Sequence, residues 1–226
     1  SALLALAIGG SLLLFACSKP APVEQVVATV PPETGSDPHS YARPDEVAVK
    51  HLDLDLSVDF AAKTLSGQAM LTLDNKTGSD TLILDTRDLT LKSVTLDAGT
   101  ATRYELSPAV EFLGQALTIA IEPTTTRVTI AYTTKPEAAA LQGLRPAQTA
   151  GKIHPFLVTQ SQSILARTWI PCQDTPGVRM TYNARIQAPA GLLALMSAEN
   201  PTAPSADGAY TFQMTTPVPS YLMALA

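Results

Sequence analysis

The sequence predicts an all-β fold, a twisted sandwich or saddle of short, mostly antiparallel strands. Three observations predict it. Hydrophobicity alternates with a period of two from residue 47 onward, as it does on strands with one buried face. Clusters of Gly, Pro, Asp, Asn and Thr interrupt the chain at short intervals, as turns between strands do. No sustained 3.6-residue period occurs beyond residue 16. The 226 residues are enough for a sizeable core, and a chain 46% hydrophobic and 15% charged is not compositionally disordered.

Ahead of that domain come two segments of different composition. Residues 1–16, SALLALAIGGSLLLFA, carry no charge and twelve apolar side chains. The stretch is short for a membrane-spanning helix and suits the apolar region of an export signal. It ends Leu14-Phe15-Ala16-Cys17 and gives way at once to polar SKPAPVEQ. This resembles a bacterial lipoprotein signal in which Cys17 is acylated, and it implies an exported, membrane-anchored protein facing the periplasm. Residues 17–46 form a tether: prolines at 20, 22, 31, 32, 38 and 44 exclude a continuous helix or a central strand. His39 falls in this tether and reads as a solvated residue. The chain opens without an initiating Met and stops in the apolar run PSYLMALA, so a longer protein is expected.

Within 47–226 the strands follow in order. In HLDLDLSVDF, Leu52, Leu54, Leu56, Val58 and Phe60 share one face, and Asp53, Asp55, Ser57 and Asp59 the other. A turn at 61–64 leads to a second strand at 66–73. Further strands are predicted at 81–84, 89–96, 116–121, 127–132, 180–187, 192–197, 209–215 and 221–225, with one helical turn at 136–141.

Composition excludes several functions. A net charge of −5 and a pI near 5.1 argue against a nucleic-acid partner. Two cysteines and three scattered histidines, His39, His51 and His154, build no metal motif. Asp53, Asp55 and Asp59 are accounted for by a wet strand face, and Trp169 by core or edge packing. No phosphate loop, nucleophile elbow or Cys-x-x-Cys occurs. From these features alone the chain is a β domain of unassigned purpose, and a non-catalytic β-sandwich lipoprotein serving as a binding or scaffold module stays open.

Residues 159–182, TQSQSILARTWIPCQDTPGVRMTY, say more. They contain Gln160, Gln162, Arg167, the run Pro171-Cys172-Gln173-Asp174-Thr175-Pro176, Arg179 and Tyr182 in that order. The flanks KHLDLDLSVDF, LDTRDLTL, ALQGLRPAQTAGKIHPFL, LLALMSAEN and VPSYLMALA accompany them. This ensemble, over 46–226, resembles the N-terminal β domain of the peptidase family M1 zinc aminopeptidases, which include aminopeptidase N and leukotriene A4 hydrolase. Gln162, where most aminopeptidases have Glu, places the resemblance nearest the leukotriene A4 hydrolase branch.

The resemblance implies a zinc metalloaminopeptidase that removes N-terminal residues from peptides. In such enzymes zinc is bound by a His-Glu-x-x-His helix and a later Glu in a downstream catalytic domain, and none of these is in this chain. The catalytic and metal residues therefore lie outside it, and the chain alone is expected to be inactive. The implied partners are a peptide with a free N-terminus, the downstream domain and a membrane. The implied substrate-binding segment is Gln160, Ser161 and Gln162. A peptide ammonium needs acceptors, and residues i and i+2 of a strand face one way. Gln160 and Gln162 thus project together and Ser161 opposes them, contributing backbone at most. Asp174 reads as a turn-former that either Arg167 or Arg179 pairs with, and Cys172 as a small buried residue.

Overall fold

The computed structural model describes residues 37–226. The signal segment, Cys17 and most of the tether lie outside the described residues. Twelve strands follow one another: β1 (Val47–Asp59), β2 (Thr64–Asn75), β3 (Thr81–Thr86), β4 (Thr90–Leu96), β5 (Thr100–Ala101), β6 (Tyr104–Leu106), β7 (Gln115–Ala120), β8 (Arg127–Thr133), β9 (Leu141–Leu144), β10 (Phe156–Thr159), β11 (Met180–Gln187) and β12 (Ala209–Val218). Three single 3₁₀ turns complete the described chain, at Pro146–Gln148, Ala166–Thr168 and Ser220–Leu222.

Seven strands form the main sheet in the order β12-β11-β1-β2-β8-β4-β5. A three-stranded sheet, β3-β7-β6, and the hairpin β10-β9 stand apart from it. All pairings are antiparallel except β1 with β11, which run parallel with His51 opposite Thr181. Leu52, Leu54 and Leu56 of β1 share one apolar core with Leu82 and Leu84 of β3 and Leu117 and Ile119 of β7. Two sheets closing over one core make the domain a sandwich, as predicted. Each such buried leucine contributes about 1.5–3 kcal/mol.

The alternation in β1 changes phase once. Val47 and Val49 are buried, then Leu52, Leu54 and Leu56. The β1–β2 register shifts between Val49 and His51, so Lys50 is the extra, exposed residue of a bulge. Across the same pair, Gly67 is required: a Cβ there would lie 1.9 Å from the Asp55 carbonyl oxygen.

Several elements differ from expectation. No strand forms at 192–197, where only Met196 bridges Leu225 and the Asn200 side chain takes up both the amide and the carbonyl of Met196. Instead of a strand at 221–225, Pro219 ends the ladder and a 3₁₀ turn follows. The segment 136–141 makes separate hydrogen-bonded turns rather than a helix, because the Ala140 amide goes to Thr168 Oγ1 and its carbonyl to the Gln160 amide. Residues 37–46, read as the end of the tether, are tied into the domain. The Ser40 hydroxyl and the Tyr41 amide both donate to Asp85, and the His39 carbonyl accepts from Arg167. The His39 side chain itself is solvated, as expected.

Candidate functional site: the glutamine turn

Strand β10 delivers the chain to the site. Its last residue, Thr159, donates its amide to the Leu225 carbonyl at 2.8 Å, and the next amide, of Gln160, goes to the Ala140 carbonyl at 2.9 Å. The chain then turns through 162–165, closed by the Leu165 amide on the Ser161 carbonyl at 2.9 Å. Gln160 and Gln162 therefore sit just beyond a strand, not within one as expected. The β10–β9 ladder stops there: the Ala140 amide goes to Thr168 Oγ1 instead of back to Gln160, and the Ser161 hydroxyl bonds inward to Met223 and Trp169.

Gln160 and Gln162 are exposed, and Ser161 between them is only 2% exposed. Gln160 Oε1 accepts the Gln162 amide at 3.0 Å, which ties one glutamine's side chain to the other's backbone. The Gln162 side chain makes no hydrogen bond among the described residues and is free to meet a ligand. The apolar hollow beside the β9–β10 hairpin, lined by Phe60, Leu141, Pro146 and Leu157, includes neither glutamine. The two glutamines are exposed surface residues that do not line this hollow. Their chemistry is that of neutral acceptors and donors: an amide carbonyl accepts from an ammonium without neutralising it.

Directly after the turn, Ala166–Thr168 points Arg167 into the interior. Its Nε donates to Asp174 Oδ2 at 3.0 Å, Nη1 to the Leu113 carbonyl at 2.7 Å, and Nη2 to the His39 carbonyl at 2.7 Å and the Asp174 carbonyl at 3.1 Å. Asp85 lies alongside, its Oδ1 3.7 Å from Nη1. It accepts from the Ser40 hydroxyl, the Tyr41 amide and the Asp174 amide. Asp174 also receives the Ser220 hydroxyl. Of the two arginines left open by the sequence, the structure chooses Arg167, and Arg179 is exposed. Burial holds the Asp85 carboxyl above the ordinary carboxylate range, against the pull of the Arg167 charge.

Cys172 pairs with Asp85 through the backbone and is fully buried. Burial, reinforced by the Asp174 and Asp85 charges, raises its thiol well above the usual value. A protonated, enclosed thiol is no nucleophile. His154 is exposed in a loop. Among the described residues, no three His, Cys, Asp or Glu side chains are grouped to hold a metal ion. The described residues do not fit a zinc centre.

Sequence reasoning missed Asp85, Trp169 and Ser220 as supports of the site. The signal for Asp85 was present, since a lone carboxylate interrupts the apolar run TLILDT and a buried charge demands a partner.

Comparison with known proteins agrees with this architecture. The model of the peptidase M1 N-terminal domain matches residues 48–222. Leukotriene A-4 hydrolase from Xenopus laevis is 40% identical over 201 residues, covering 84% of this chain and 33% of the relative. Leucine aminopeptidase 2 from Pyricularia oryzae is 34% identical over 200 residues, covering 84% of this chain and 32% of the relative. Among solved structures, yeast LTA4 hydrolase in complex with bestatin superposes with a TM-score of 0.75 at 30% identity, over 92% of this chain and 32% of that one. The chain spans about a third of the length of the curated relatives it matches. The chain belongs to the peptidase M1 N-terminal domain family.

Proposed function

We propose that this domain is the substrate-facing N-terminal part of a longer, exported zinc metalloaminopeptidase, and that its glutamine turn receives the free amine of a peptide. One observation carries the reading. Two exposed glutamines, one with a side chain unengaged among the described residues, flank Ser161, which is anchored in the core of a peptidase M1 N-terminal domain just ahead of the 162–165 turn. In this reading the Gln162 side-chain carbonyl accepts a hydrogen bond from the substrate ammonium, and Gln160 forms the adjoining wall. Ser161 contributes backbone only, because its hydroxyl is spent internally. Zinc and its ligands belong to the downstream catalytic domain. Acylation of Cys17 anchors the protein to a membrane on the periplasmic side.

The test uses the complete protein and this chain side by side. The complete protein hydrolyses aminoacyl amides, loses that activity to a chelator and regains it with zinc. This chain alone retains no stoichiometric zinc after chelator washing and hydrolyses nothing. A complete protein without aminopeptidase activity would leave the domain a binding or scaffold module.

A further inference from the structure

The turn is exposed at both glutamines but fastened from beneath at the residue between them. The Ser161 hydroxyl donates to the Met223 carbonyl at 2.6 Å and accepts from the Trp169 indole Nε1 at 3.0 Å. A hydroxyl has one proton to give and lone pairs to receive, so both bonds form together and hold its rotor. Both partners are themselves fixed. Trp169 is fully buried, and its carbonyl accepts the Tyr132 hydroxyl of β8 at 2.9 Å. Met223 is 1% exposed and follows the Ser220–Leu222 turn, which Ser220 ties to Asp174. A chain of hydrogen bonds thus runs from the main sheet through Trp169 and Ser161 to the Met223 segment. On the outer side, the Gln160 Oε1 bond to the Gln162 amide spans Ser161.

We propose that Ser161 and Trp169 are positioning residues for the free-amine site: their hydrogen bond holds the turn so that the Gln162 side chain stands where the ammonium is received. This rests on the reading of Gln162 given above. A hydrogen bond weakens steeply with misalignment, and an exposed turn that is ordered only on binding loses part of its interaction to that ordering. Removing the Ser161 hydroxyl leaves an indole N–H and a carbonyl unpartnered in the interior. Such groups favour a shift of the turn over a passive void.

The test is made in the complete enzyme, with kcat/KM measured for a free-amine peptide and its N-acetylated counterpart. Their ratio cancels the concentration of active enzyme, so mere loss of stability does not move it. Ser161→Ala lowers the ratio about ten-fold, the size of one lost hydrogen bond. Trp169→Phe keeps the buried ring, removes only the N–H and lowers the ratio in the same direction. Should Ser161→Ala fail to fold, Trp169→Phe carries the test alone. A ratio unchanged in these variants but lowered in Gln162→Ala overturns the positioning role and leaves the amine reading standing. A ratio unchanged in all three overturns both.

Discussion

Arg167 Nε donates to Asp174 Oδ2 at 3.0 Å with both side chains shut off from solvent. Around this pair converge residues far apart in the chain: the His39 carbonyl, Asp85, the Leu113 carbonyl and Ser220. The glutamine turn precedes Arg167 by a few residues, so the same cluster that joins these segments also fixes where the turn leaves the core. Two carboxylates share one guanidinium here, and hydrogen bonds from Ser40, Tyr41 and Ser220 make up the remaining stabilisation.

Removing the guanidinium strands both carboxylates. Arg167→Ala is expected to cost about 3–5 kcal/mol, the range for breaking a buried ion pair on one side. Arg167→Lys recovers only part of this, because an ammonium does not reproduce the fork that reaches Asp174, Leu113 and His39. Urea unfolding of this chain measures both. A loss below about 1 kcal/mol for the alanine variant would mean that the cluster is a surface-type pair in energetic terms.

Much of this domain is legible in its sequence, and the illegible parts have physical causes. Strand β1 announces itself because Leu52, Leu54 and Leu56 alternate with polar residues facing water. Strand β6 does not, since Tyr104, Glu105 and Leu106 are all exposed and no alternation exists to detect. The apolar stretch at 192–197 looks like a strand, yet its pairing is confined to one bridge, Met196 with Leu225, closed by Leu195 and Ser197 on Ala226 and Ala224. At the site, alternation does not reach Gln160, Ser161 and Gln162, which lie beyond the end of β10, and the anchoring of Ser161 is not legible either. Its partners lie 8 and 62 positions away, a pairing that only the folded chain reveals.

Asp85 gives the fold a distinctive pH response. Its carboxyl is held above the ordinary 3.8 by burial, so the folded state keeps a proton that the unfolded state releases. Stability from this group is therefore greatest below the ordinary value and is lost as pH rises toward the folded one. Asp85→Asn removes that slope but keeps one acceptor oxygen in place of two, so the Ser40 hydroxyl on Oδ2 and the Tyr41 amide on Oδ1 are not both satisfied and a pH-independent loss accompanies it. Unfolding free energies measured from neutral pH down toward 4 are expected to show wild type gaining on the variant as pH falls. A difference independent of pH would contradict the assignment.

Location is tested at Cys17. Lipid chains contribute about 0.8 kcal/mol per buried CH₂, so a multiply acylated protein stays in the membrane fraction. With a complete export signal, wild type should partition into detergent and Cys17→Ala into the aqueous phase. Equal partitioning of the two would point to an ordinary signal or a retained apolar helix.

The central claim is that Gln162 receives the substrate's free ammonium, and one comparison in the complete enzyme tests it most directly. A hydrogen bond to a charged group contributes roughly 1.5–3 kcal/mol, so Gln162→Ala should lower kcat/KM for free-amine peptides roughly 10- to 150-fold. Thermal stability should barely change, because the side chain is exposed and makes no hydrogen bond among the described residues. Gln162→Glu, which places a carboxylate at the same point, should retain peptide activity. N-acetylated peptides, lacking the ammonium, should be poor substrates for wild type and lose little more in the alanine variant. If Gln162→Ala instead cleaves free and acetylated peptides with wild-type preference, Gln162 is an exposed turn residue and the amine site lies elsewhere.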